Sequence, residues 1–445
     1  KNTICLYKSV KPNRTIQNGF LNWEDYLTVI NLNNHNFNFL NENVIFPPNI
    51  KELNLSHNKL TYVPNAVMKL HKLKVLDISF NHIDYFNDVP EFCHSIETLN
   101  LSNNLLKEPP YWIWSEMPIC LSKLNLNNNF HMNLSTIIDL VSQFRSLITN
   151  LNIYNCHISK YKRIFDSFKA VKLLEIGASE LSGFSNRFED IPFIGLDKCY
   201  DLEELKASHT NVYNIKANIS MYKNLRVLNL SHNNIYGLPD EFCDLESLEI
   251  CILSHNNIIY LPEKMAKLKR LKKLAVDSNE LCMLPNALTD LSDLTTLDLY
   301  NNKLYEITVE IKKFAEIDLA QNYFDEPCDD GYLEKRERLR FHHDERFNGR
   351  KADAVYSDHD DYNGDLEEDW DSDSYWEPNE NQGPYTPPLS PWLCFVKKRI
   401  AEGYFCPMDM HVVSITDQVE YEKLCNPPVF YESEGEFDDL SEGES

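Results

Sequence analysis

The string LRVLNLSHNNIYGLP at residues 225–239 returns as LEICILSHNNIIYLP at 248–262 and as LKKLAVDSNELCMLP at 271–285, 23 residues apart each time. Aligned, the three share apolar residues at positions one, four, six and eleven, asparagine at position nine and a closing Leu-Pro. Working outward, the same register begins at Leu27, Ile50, Leu73, Ile96, Leu121, Ile148, Val171, Leu202, Leu225, Leu248, Leu271, Leu294 and Phe314, and eight of the twelve intervals are 23 residues. Chance clustering does not hold such a period. Each unit is one supersecondary element that buries its apolar side against its neighbours.

Positions four and six, such as Leu53 with Leu55 or Leu228 with Leu230, flank one outward residue, so every repeat is predicted to add a short strand to a parallel sheet. Position nine is asparagine at 58, 81, 104, 129, 233, 256, 279, 302 and 322, with His35, Cys156, Ser179 and Thr210 as exceptions. There the side chain is expected to turn inward and bond backbone groups left unpaired where the strand bends away. A 23-residue unit leaves little room for an outer helix, which favours 3-10 turns on that side. The two longest intervals differ: residues 135–144 are predicted to form an outer helix, and Gly183 to Phe193 an outer loop.

The phrase L-x-x-L-x-L-S-x-N-x-I/L-x-x-L-P, spread over about Leu27 to Pro327, resembles the intracellular leucine-rich repeat class that includes the Ras-pathway scaffold family and the plant intracellular Ras-group-related proteins. The resemblance implies an α/β solenoid, a leucine-rich repeat horseshoe with a concave parallel sheet of about 13 strands, whose concave surface binds signalling proteins. Two central repeats, Glu175 to Ser179 and Lys206 to Thr210, depart from the pattern by lacking the asparagine.

Composition changes sharply at the end of the repeats. Residues 327–445 hold 30 acidic and 11 basic side chains, so most of the net charge of −25 lies there. The expected organisation is an N-terminal cap at 1–26, repeats at 27–326, a capping helix within 327–350 (Tyr332 to Phe347) and an acidic disordered tail at 351–445. Within the tail, an apolar island at 392–405 that includes Trp392 and Phe395 reads as a docking segment. His359 to Leu366 imitates a calcium loop, but His359 and Trp370 stand where ligating carboxylates belong.

An acidic chain is a poor ligand for nucleic acid or anionic membrane. No apolar run approaches the ~18 residues that span a bilayer. Twelve scattered cysteines without a C-x-x-C suggest a reducing compartment, hence a cytoplasmic location, and the sequons at Asn54, Asn100 and Asn229 fall inside predicted strands. No nucleophile elbow, phosphate loop, H-E-x-x-H or paired-cysteine zinc site occurs. The sequence therefore points to a monomeric, non-catalytic interaction protein with no cofactor.

Positions three, five, seven, eight and ten are expected to face the hollow or its rim. Position five reads as an amide ladder over its first half, Asn31 to Asn152. Phe80, Phe130, Tyr154, Tyr300 and Tyr323 are candidate anchors, and Asp277, Asp298 and Asp318 suggest a partner with a basic surface. His209, His232 and His255 occupy position eight of consecutive repeats, where they read as ordinary repeat spelling, a metal site or a pH sensor. The leading function is a scaffold or adaptor in intracellular signalling. The alternatives are a recognition subunit of a phosphatase or ubiquitin ligase, and a secreted immune receptor ectodomain.

Overall fold

A computed structural model of the chain describes residues 3–5, 27–40, 44–86, 88–114, 118–133, 145–179, 186–324, 327, 330–341 and 343. The predicted helix at 135–144, the calcium-loop imitation and the docking segment with Trp392 and Phe395 lie outside them.

Every one of the thirteen repeats contributes one three-residue strand, at its positions three to five. In chain order these are β2 (Val29–Asn31), β3 (Glu52–Asn54), β4 (Val75–Asp77), β5 (Thr98–Asn100), β6 (Lys123–Asn125), β7 (Asn150–Asn152), β8 (Leu173–Glu175), β10 (Glu204–Lys206), β12 (Val227–Asn229), β13 (Ile250–Ile252), β14 (Lys273–Ala275), β15 (Thr296–Asp298) and β16 (Glu316–Asp318). A further strand, β1 (Thr3–Cys5), pairs with β2 and makes the parallel sheet fourteen strands wide. Register is strict: each repeat position faces its own counterpart in the next strand. Hydrogen bonding continues past the strands, with the position-six and position-eight amides donating to the following repeat, as in Leu55 to Asp77 and His57 to Ser79.

One apolar core runs the length of the array. Positions one, four and six, for example Leu248, Cys251 and Leu253, are fully buried in it. The outer side is built mainly from 3-10 turns, such as Asp240–Asp244, Glu263–Lys267 and Asn286–Asp290, each entered through a proline. Proline fits there because it needs no amide partner and its φ matches the turn.

Position nine does what the sequence asked of it. Asn256 donates to the carbonyls of Leu230, Leu253 and Ser254, and its oxygen accepts the Ile235 amide of the preceding repeat. Cys156 and Thr210 substitute through Sγ to the Leu126 carbonyl and Oγ1 to the Ala207 carbonyl. Ser179 does not. In that repeat Asn186 donates to the carbonyls of Ile153 and Ile176 and accepts the Ile158 amide. Seven residues are thus inserted ahead of the asparagine.

The expected outer loop at Gly183 to Phe193 is corrected accordingly. Asn186, Phe188, Ile191 and Phe193 are buried. The short strand β9 (Asp190–Ile191) pairs with β11 (Asn214–Ile215) of the next repeat.

The closing helix runs over Asp330–Arg340, shorter than the predicted Tyr332 to Phe347. Its buried Tyr332 hydroxyl accepts the Leu319 amide, which in every other repeat would find a carbonyl on a following strand.

Candidate protein-binding face

In each of the thirteen repeat strands the middle residue is buried in the core. The first and third are half-exposed in most repeats, on the opposite, open face of the sheet. That face, with the turn that follows it, is where the side chains of thirteen repeats line up in rows.

Position five is not the continuous cross-strand amide ladder the sequence suggested, although Asn152 donates to Glu175 of the next strand at 2.9 Å. The side-chain oxygens of Asn54, Asn100, Asn125 and Asn229 each accept the amide of position seven in their own repeat, at 2.8–3.2 Å. Asn and Asp make this local contact because their short side chains reach the backbone two residues on. The ladder lies instead at position eight, where Asn155 donates to Asn128 and Asn128 to Asn103.

Position eight is also where the backbone turns left-handed. His57, Phe80, Asn103, Asn128, Asn155, His209, His232, His255, Ser278 and Asn301 all have φ between 52° and 57°. Asn and His tolerate that region better than most residues, which accounts for the spelling Ser-His-Asn. Strung along the row, the side chains stack. Phe80, 47% exposed, lies on His57 with ring centroids 4.1 Å apart. His209, His232 and His255 stack with centroids 4.1 and 4.2 Å apart and planes within 10°. Parallel rings direct their nitrogen lone pairs side by side and do not converge them on one ion. Among the described residues no group of three or more metal-ligating side chains is placed to hold a metal.

The other candidates divide into two groups. Tyr154 leans over the next repeat, where Gly177 leaves room: a Cβ there would come within 3.0 Å of both the Tyr154 ring and Ser208 Oγ. Burial, with Glu175 adding to it, pushes the Tyr154 phenol above its usual range. Phe130 is half-exposed, and Tyr323 is exposed beside Tyr305.

The acids form the second group, and they are not an open surface. Asp277, Asp298 and Asp318 are 3%, 1% and 0% exposed. Asp277 accepts the Ser254 hydroxyl. Asp318 holds Arg340 of the closing helix through Oδ2 at 2.8 Å, and the same guanidinium lies 5.6 Å from the half-exposed Tyr300 ring. His343 stands 3.7 Å from Asp298. The closing helix and the turn after it thus cover the floor of the last two repeats. Sequence reasoning missed this because Arg340 enters from outside the repeat pattern. The available signal was a run of basic residues in the capping segment.

Among the described residues the floor stays half-exposed from β2 to β13. In its central part Val227, Ile250 and Ile252 form an apolar patch, and Lys206 is exposed on β10. One border is the histidine row. The other, at position two, is a ladder of alternating charge: Lys172 pairs with Glu203, and Arg226 and Lys272 both pair with Glu249.

Ser254, His255 and Asp277 have the composition of a catalytic triad but not its geometry. The serine hydroxyl points at the aspartate, and His255 Nε2 is 3.9 Å from that carboxylate. Burial pushes the Cys156, Cys199, Cys243 and Cys251 thiols up to about 12, which suits core residues and not nucleophiles.

A leucine-rich repeat region model matches residues 151–335, and two further leucine-rich repeat models match 25–83 and 95–115, together more than half of the chain. This is a leucine-rich repeat protein. Among solved structures, a leucine-rich repeat protein of Leptospira interrogans is 23% identical, over 70% of this chain and 81% of that one, with a TM-score of 0.52. An internalin of Listeria monocytogenes is 19% identical over 62% and 84%, with a TM-score of 0.48. The first likeness supports the leucine-rich repeat fold. No curated protein matches the sequence.

Proposed function

We propose that this leucine-rich repeat protein is a non-catalytic scaffold or adaptor of intracellular signalling that binds a protein partner on the open floor between β8 and β14. The observation that carries the reading is the break in the position-five row. Asparagine or aspartate, self-satisfied and uniform, lines the early repeats, whereas Glu175, Lys206, Ile252 and Ala275 interrupt it in the centre. Fold maintenance does not need that departure, since the asparagine version serves the neighbouring repeats. A half-exposed apolar patch framed by polar rows has the make-up of an interface core with its rim.

The test exploits the same point. Lys206→Asn with Ile252→Asn restores the commonest residue of the row and leaves the fold intact, while it strips the central floor of its distinctive side chains. Partners captured by the wild-type chain and identified by mass spectrometry are expected to be lost from this variant and from Tyr154→Ala. They should be retained by Lys264→Ala with Lys267→Ala, an outer-turn pair whose partners are Asp240 and Asp244. Loss through the outer pair with retention in the floor variant would overturn the reading.

A further inference from the structure

We infer that Asp298, Tyr300 and Asp318 form a seat for arginine side chains of a partner protein, and that Arg340 of this chain occupies it as an internal competitor. The seat lies apart from the central floor and stands independently of the reading above. Asp298 and Asp318 face each other in register on β15 and β16. Each does the local duty of position five, accepting the amide two residues on, Tyr300 for Asp298 and Ala320 for Asp318. Asparagine does the same in earlier repeats, so this duty does not account for two buried carboxylates, whose burial is costly unless a cation pairs with them. Arg340 shows which cation fits. Its Nε and one terminal nitrogen donate to the two oxygens of Asp318 at 2.8 and 3.3 Å, and its guanidinium carbon lies 5.6 Å from the Tyr300 ring centre. A two-pronged carboxylate beside an aromatic face matches a planar guanidinium, whereas a lysine ammonium is a compact point charge.

Closing the solenoid does not require this contact. An open end exposes the core, and the helix covers it with Tyr332 and Leu339, both buried. Arg340 is the last helical residue and reaches beyond the core to the open face of the sheet. His343 follows it and stands 3.7 Å from Asp298, one strand further in. The two side chains thus lie over adjacent strands, as a pair of basic side chains from one segment would. Helix ends open at far lower cost than a core does. A partner's arginine therefore displaces Arg340 while Tyr332 keeps the end of the array closed. The occupant that fits is an extended segment with one arginine for Asp318 and a second for Asp298.

The probe is the peptide Gly-Arg-Gly-Arg-Gly, with Gly-Lys-Gly-Lys-Gly as a control of equal charge, each titrated into the full chain in about 0.15 M salt. The arginine peptide is expected to shift the Nε–H NMR signal of Arg340 and to bind at least tenfold more tightly than the lysine peptide. Arg340→Ala removes the competitor, so it should tighten arginine-peptide binding at least tenfold, and adding Asp318→Asn should abolish that gain. Arg270→Gln, at an exposed residue outside the floor, should change nothing. If Arg340→Ala does not fold, the wild-type Arg340 signal and the comparison of the two peptides decide. An Arg340 signal unmoved by the arginine peptide, equal binding of the two peptides, or equal affinity in the wild type and a folded Arg340→Ala chain would overturn the inference. Partner loss in the central-floor variant is a separate readout, so either proposal can fail alone.

Discussion

At position nine a single amide group serves four backbone groups: three carbonyls take its two donors and one amide takes its oxygen. Removing such a group leaves buried polar atoms unpaired, at a cost of about 1–3 kcal/mol. Asn186→Ala is accordingly expected to destabilise as strongly as Asn256→Ala in urea unfolding, whereas Ser179→Ala should stay within about 0.5 kcal/mol. The opposite ranking would return the ninth position to Ser179. That misplacement shows what a sequence pattern can convey. A period tells which residues face inward. Ser179 satisfied the expectation of a short polar group, and the 31-residue interval from Val171 to Leu202 marked an insertion in this repeat without showing that Asn186 had taken over its work. Position five failed for a related reason: periodicity gives the side a residue points to, but an asparagine chooses between a neighbour's amide and its own backbone by reach.

Among the elements, the strands were the most legible, because the apolar triplet at positions one, four and six fixes both their place and their register. The closing helix was legible as a need but not as a contact. Its Tyr332 hydroxyl takes the Leu319 amide in a fully buried setting, so Tyr332→Phe is expected to cost about 1–3 kcal/mol although it keeps the ring. A melting curve unchanged by this substitution would show that the edge is satisfied in another way. The position-two ladder gives a pH signature. Hydrogen bonds from Arg226 and then Lys272 hold the Glu249 carboxyl down to about 2. A depressed carboxylate contributes stability above its unfolded value near 4.3 and loses it as pH falls through the folded value. Between pH 4.5 and 2 the melting temperature of the wild type should therefore fall more steeply than that of Glu249→Gln. Parallel slopes would show that the ladder adds nothing.

For the molecule, the described core is sustained by contacts between successive repeats, so stability is expected to be a sum over neighbours. A chain ended after Arg350 should then melt as a cooperative unit and at a temperature close to that of the full chain. An insoluble or non-cooperative product would place part of the fold beyond that residue. At this scale the architecture was readable from the repeat, whereas the part of the open face that stays accessible was not. Asp298 and Asp318 look like free acids in a row. They become a covered floor only once a segment more than twenty residues away has folded back.

The position-nine asparagines also give the array a direction. Each side-chain amide bonds backwards, to a carbonyl and an amide of the repeat before it, although the backbone amides of Asn81, Asn233 and Asn302 donate forwards. A repeat is thus completed by its successor, much as a course of roof tiles is pinned by the one laid over it. The arrangement makes 23 residues the natural quantum of gain or loss in the chain's history. Joining Leu230 to Ser254 in a shortened gene would hand the bonds of one asparagine to the next and leave no gap, whereas a cut after any interior repeat would strip the pins from everything now exposed at the edge. Growth of this protein by duplication is therefore easiest in the middle, where the divergent floor sits, and hardest at the C-terminal end, where one tyrosine stands in for the missing tile.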